Sequence, residues 1–151
     1  MNLYRFSPIE NKEQLFKAVA YVASEVLRLI ETTTSNAYPI SYLTIFTHYR
    51  EEYEKLISIL PDLGKVSDAN NGLQVELDKP VNKINRLRIR KPDPYRMQVG
   101  CADLNVGDYN TFKEKYLSSS TNLRLIERLE YEMIEFFNPD FDVLAYSVST
   151  G

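Results

Sequence analysis

Apolar positions recur at three- and four-residue spacing early in the chain, at Leu15, Phe16, Val19, Val22, Ala23, Val26, Leu27 and Ile30. That spacing puts one apolar stripe on a helix of about six turns. In front of it, Ser7-Pro8-Ile9-Glu10 has the form of a capping box, with Ser7 as N-cap, Pro8 first in the helix and Glu10 third. The run Thr32-Thr33-Thr34-Ser35-Asn36, β-branched and turn-forming, is expected to end it. Residues 40–47 (ISYLTIFT) are β-branched and aromatic, which predicts a strand. Residues 49–60 follow as a short helix with Tyr53, Leu56, Ile57 and Leu60 on one side, ended by Pro61-Asp62-Leu63-Gly64.

Strict alternation then takes over. Residues 72–78 set Leu73, Val75 and Leu77 against Gln74, Glu76 and Asp78. Residues 84–90 set Leu87 and Ile89 against Arg86, Arg88 and Arg90, so both segments predict strands. Lys91-Pro92-Asp93-Pro94 breaks the ladder, because proline lacks a donor and stiffens its predecessor. A further strand is expected over residues 97–106, and a short helix over 109–117 with Phe112, Tyr116 and Leu117 as its apolar edge. Ser118-Ser119-Ser120-Thr121-Asn122 is a loop. Residues 123–137 fit a helix by the spacing of Leu125, Ile126, Leu129, Met133 and Phe137. They also fit strands, with residues 133–137 pairing across Asn138-Pro139-Asp140 with 143–148, and the turn chemistry favours this terminal hairpin.

The 151 residues suit a single α+β domain with its own core. A formal charge of -3 does not point to nucleic acid or a membrane surface as partner. One cysteine, Cys101, leaves no internal disulfide and no Cys-rich metal site. Residues 1–13 lack the apolar stretch of a secretory signal, and residues 18–30 are interrupted by Ser24, Glu25 and Arg28. A cytoplasmic location is the expectation.

Residues 1–36 form an N-terminal helical cap, and 40–91 and 96–149 read alike: a strand, a short helix, then two or three strands. This repeated βαβββ pattern resembles the vicinal oxygen chelate superfamily of glyoxalases, extradiol dioxygenases and bleomycin-resistance proteins. QVGCADLNVGDYNTFKEKYL is similar to the first strand and helix of such a unit, and MIEFFNPDFDVLAY to its closing hairpin. YLTIFTHYREEYEKL, after the extra N-terminal helix, is similar to a bacterial glyoxalase-like branch. The resemblance implies two units sharing a mixed sheet, with one face on helices and the other lining a cleft, and a homodimer. It also implies metal ligands on the first and last strands of each unit. Tyr42, Arg88 or Arg90, Gln98 and Ala145 occupy those positions here, and of these only Gln98 ligates in the ordinary way. No metal or other cofactor is expected.

Arg86, Arg88 and Arg90 share one strand face, with Lys91 and Arg96 close by in sequence. Like charges in a row call for counter-ions. Guanidinium forks suit a small anionic molecule such as a nucleotide, phosphorylated metabolite or carboxylic acid, with Tyr42 and Gln98 adding hydrogen bonds. The plainer explanation is a solvated strand paired with Glu76, Asp78, Glu130 or Glu132. His48, the only histidine, falls where a strand passes into a helix near Glu51 and Glu52. It would serve a lyase, isomerase or hydrolase as a base, acting with Tyr42 or Cys101; as a capping or surface residue it would do no chemistry. Cys101 in an apolar strand is otherwise a core residue. The stretch from Lys91 to Arg96 is a linker between the units or a rigid lip over a cleft. A third alternative is an interaction protein or inhibitor acting by its surface. No phosphate-binding glycine loop, HExxH or CxxC occurs.

Overall fold

Residues 4–149 are described by a computed structural model, which is the structure discussed below. The predicted long helix is α1 (Lys12–Thr34), and its stripe from Leu15 to Ile30 is buried except at Leu27, which is 43% exposed, and Phe16, which is half-buried. It starts later than the capping box predicts. Asn11 is the N-cap, accepting the Gln14 N–H at 2.9 Å, while Gln14 Oε1 accepts the Glu10 N–H at 2.8 Å. Ser7 is unavailable for that role because its hydroxyl is engaged 41 residues away, by His48. The threonine run lies inside the last turn, each hydroxyl donating to the carbonyl four residues back (Arg28, Leu29, Ile30). The helix ends at Ser35, which takes a left-handed conformation (φ 61°).

Two βαβββ units follow. The first is β1 (Ile40–Phe46), α2 (Arg50–Ile59), β2 (Gly64–Ala69), β3 (Gly72–Val81) and β4 (Ile84–Arg90). The second is β5 (Gly100–Leu104), α3 (Tyr109–Tyr116), β6 (Leu123–Glu127), β7 (Glu132–Phe136) and β8 (Val143–Val148). Strand β2 has no counterpart in the sequence reading. It is a mostly exposed edge with only Val66 as a large apolar residue, and pairing with β3 is what makes it a strand. Residues 123–137 are two strands, and β7 pairs antiparallel with β8 as the terminal hairpin requires. Strand β5 is shorter than predicted, leaving Met97 and Gln98 in the approach to it.

All eight strands form one mixed sheet in the order β2-β3-β4-β1-β5-β8-β7-β6. The order is the same from either end when each strand is exchanged for its equivalent in the other unit, so the units meet at the antiparallel β1–β5 pair. Within each unit the first and last strands pair in parallel, β1 with β4 and β5 with β8. Helix α1 lies across β1, β5 and β8, covering this seam. At Gly100 a Cβ would stand 2.2 Å from the Thr44 carbonyl oxygen and 3.1 Å from Val22, so the seam is closed by a residue with no side chain.

The main core lies on the helix side, where Leu43, Ile45, Leu87, Ile89, Ala102, Ile134, Phe136 and Ala145 meet α1, Leu56 of α2 and Phe112 of α3. A smaller cluster of Phe46, Cys101 and Leu144, edged by Phe137 and Tyr146, forms on the opposite face. Alternation alone requires this second face: wherever odd residues of β4 point to the helices, Arg86, Arg88 and Arg90 point away.

Candidate functional site

The helix-free face is laid out in transverse rows set by register. One row runs Lys65, Glu76, Arg86, Tyr42, Asp103, Tyr146, Glu135, Arg124 from edge to edge. Near its middle, Arg86 Nη1 donates to the Tyr42 hydroxyl at 2.6 Å. Arg88 stacks on the same ring, 4.0 Å from its centroid, donates to Gln74 Oε1 at 3.2 Å and stands 3.5 Å from Asp103 Oδ2. Burial raises the Asp103 carboxyl above its ordinary pKa and Arg88 opposes the shift. Thus Arg88 takes its counter-charge from β5, not from Glu76, Asp78, Glu130 or Glu132. Arg86 sits beside Glu76 in register, yet it makes no ion pair among the described residues; nor does Arg90.

Arg90 and Arg96 converge on the Phe46 ring, 5.3 Å and 5.2 Å from its centroid. Arg96 has one loose carboxylate, Asp93 at 4.0 Å. The linker residues 91–99 therefore deliver a fourth guanidinium to the row on β4. On the far side, Glu135 is buried, accepts from Tyr146 at 2.7 Å and is held by Arg124 at 2.5 Å.

His48 lies apart from this row. It is buried at the end of β1, its ring stacked on Tyr4 at 3.7 Å, with Nδ1 2.6 Å from Ser7 Oγ. Glu52, also buried, accepts the His48 N–H at 2.8 Å and the Ile9 N–H at 2.6 Å. Nε2 has no hydrogen-bond partner in normal geometry, although the carbonyls of Arg96 and Gln98 face the ring. Burial holds the imidazole pKa below its ordinary value, against the pull of Glu52, so the ring is neutral at pH 7. With Arg5 bonded to Asp142 at 2.8 Å and Tyr4 donating to the Pro94 carbonyl, these contacts clamp the N-terminal strap over both units. His48 serves here as a hub for that strap.

No hydrogen bond joins His48 to Tyr42 or Cys101 among the described residues; its ring is engaged by Ser7 and Tyr4. Burial pushes the Cys101 thiol up to about 12, which removes the thiolate a nucleophile needs. Gln98 lies with His48, Ser7 and Met97 around a narrow crevice, not on the arginine strand. Ala145 faces the helix-side core. No group of three or more His, Cys, Asp or Glu gathers for a metal among the described residues. A shallow groove of about 390 Å³ runs beside Pro8, Tyr49, Glu51 and Lys55, away from the arginines. Asp103, Glu135 and the row they complete were missed by sequence reasoning; alternation on β5 and β7 was the available signal.

No protein-family profile matches the chain, and no curated protein is similar to it in sequence. A solved structure described as "Structural Genomics, Protein EC4020" is similar in fold, with TM-score 0.60 and 14% identity over 93% of this chain and 92% of that one. At that identity the likeness concerns the fold alone. Among the described residues no helix is long and apolar enough to cross a membrane.

Proposed function

We propose that the protein binds a small anionic molecule on the helix-free face of its sheet, without a metal, and is related in fold to the vicinal oxygen chelate superfamily. The observation that carries the binding proposal is the row Arg86, Arg88, Arg90, joined by Arg96, in which Arg86 and Arg90 have no carboxylate partner among the described residues. The Phe46 ring beneath the Arg90 and Arg96 guanidiniums holds them in place while leaving Arg90 N–H edges for a ligand. The repeated βαβββ unit supports the kinship. The metal-free part rests on donor chemistry, since arginine and alanine at two of the resembled ligand positions offer a cation no lone pair.

The test is thermal unfolding of the purified protein against nucleotides, phosphorylated metabolites, carboxylic acids and divalent metals. A ligand at one hundred times its Kd stabilises the folded state by about 2.7 kcal/mol. The expected result is a rise in Tm with an anionic compound that is lost in Arg90→Ala. A rise with divalent metals alone overturns the proposal. No response to any compound also overturns it, and makes the exposed Tyr95 and Met97 beside Arg96 the first surface to examine for a macromolecular partner.

A further inference from the structure

Resting on that anion site, we infer that the N-terminal strap positions one of its arginines. Tyr4 and His48 hold the linker so that Arg96 stands beside Arg90, and closure of the strap and binding of an oxyanion promote each other. Tyr4 and His48 are positioning residues in this account, acting through Arg96 and touching no ligand themselves.

The two arginines are anchored differently. Arg90 lies on β4 with a paired strand on each side, β3 and β1. Arg96 lies in the linker, which is fixed at its ends: the Asp93 N–H donates to the Thr47 carbonyl at 3.1 Å, and the Phe46 N–H to the Val99 carbonyl at 3.0 Å. Between those ends, residues 94–98 make one hydrogen bond beyond their own turn among the described residues. It runs from the Tyr4 hydroxyl to the Pro94 carbonyl. The Arg96 ion pair with Asp93, at 4.0 Å, closes within the same turn, and the side chains of Tyr95 and Met97 are exposed. What holds Arg96 over Phe46 is therefore the strap more than the sheet.

His48 extends the hold. Its ring stacks on Tyr4, and the carbonyls of Arg96 and Gln98 face it from the linker. Two facing carbonyls favour the tautomer with its proton on Nε2, so Nδ1 accepts from the Ser7 hydroxyl at 2.6 Å. Yet Nε2 is buried without a partner in normal geometry among the described residues. A buried N–H left unbonded is costly, and a small approach of the linker supplies its acceptor. An oxyanion bridging Arg90 and Arg96 restricts the linker and favours that approach; by linkage, the closed strap raises oxyanion affinity by the same factor. Phe46 joins the two ends, since its ring carries both guanidiniums and also lines the crevice beside Tyr4, Ser7 and His48.

The experiment titrates inorganic phosphate into the isotopically labelled full chain by NMR, reading the amides of Arg90 and Arg96 and the imidazole of the only histidine. Tyr4→Phe keeps the stack on His48 and loses the bond to Pro94, and its phosphate Kd is expected to rise about fivefold or more. Combined with Arg96→Gln it should add nothing to the loss from Arg96→Gln alone, whereas with Arg90→Gln the two losses should multiply. Ser7→Ala, which leaves Nδ1 without its donor, should follow the same pattern to a smaller degree. Phosphate should move the His48 ring resonances in the wild type and leave them still in Arg96→Gln. Wild-type phosphate affinity in both folded strap variants overturns the positioning role while leaving the anion site standing. Losses that multiply with Arg96→Gln as they do with Arg90→Gln also overturn it, because the strap then acts on the whole face. Failure of phosphate to bind the wild type sinks this inference and the anion reading together.

Discussion

The two units share one topology and differ in what they show to the helix-free face. On β4 the outward positions are Arg86, Arg88 and Arg90; on the equivalent β8 they are Leu144, Tyr146 and Val148. Under the same exchange Glu76 corresponds to Glu135 and Lys65 to Arg124, so the outer strands keep their charges while the inner ones diverge. The helix side diverges as well. The first unit packs Leu43, Ile45, Leu87 and Ile89 under the helices, whereas the second offers Gly100, Ala102, Val143 and Ala145, which lets α1 settle close over the seam. A duplicated frame thus carries two different surfaces, with arginines on one side of the seam and apolar and aromatic side chains on the other.

Stability should be unevenly shared. Phe136 on β7 is fully buried and 5.9 Å from Phe112, while its equivalent on β3, Leu77, keeps a little exposure. Phe136→Ala is expected to cost about 3–5 kcal/mol and Leu77→Ala about 2–3 kcal/mol, both from urea unfolding midpoints at constant m. Equal costs would break the comparison. Glu52→Ala removes the acceptor for two buried N–H groups at the strap and should cost about 2–4 kcal/mol by the same measurement. A loss below about 0.5 kcal/mol would mean that water replaces it.

The ion pairs sharpen the contrast. Arg124→Ala strands the buried Glu135 with Tyr146 as its remaining partner, and is expected to cost about 1–3 kcal/mol. Arg88→Ala leaves Asp103 partly solvated, at a cost of about 1 kcal/mol or less. The reverse ranking would place the structural pair across the seam between the units. Cys101 should react with a thiol reagent at pH 8 only as fast as the protein opens, with denaturant accelerating labelling at least a hundredfold; rapid reaction of the native chain would contradict its burial.

The smallest effect is a pH dependence at the strap. Because the folded state lowers the His48 pKa, the unfolded chain binds its proton first as pH falls below the ordinary 6.5. Stability is then greatest above that value and declines as pH drops through the window down to the folded pKa. Asp103, with a raised pKa, acts in the opposite sense, so the effect is read as the difference between wild type and His48→Gln from pH 7.5 to 5. Identical slopes would remove His48 from the account.

Much of the frame was legible from spacing. The α1 stripe and the β4 alternation repeat with a period that a local window detects, while the β7–β8 hairpin was favoured by its turn residues against a helical spacing that fitted as well. Strand β2 was not legible, since an edge strand with one large apolar residue exists only through its hydrogen bonds to β3. The capping role of Ser7 failed for a similar reason: a hydroxyl suits several partners, and a histidine 41 residues away won over the local amides.

The sequence by itself determined that a long helix comes first and that three arginines share one strand face, because period and residue type are local properties. Only the tertiary structure decided which carboxylate answers Arg88, that Arg96 joins Arg90 over Phe46, and that His48 is buried as a hub. Those outcomes depend on the order of strands across the sheet, which places residues far apart in the chain within a few ångströms and sets how much water each retains.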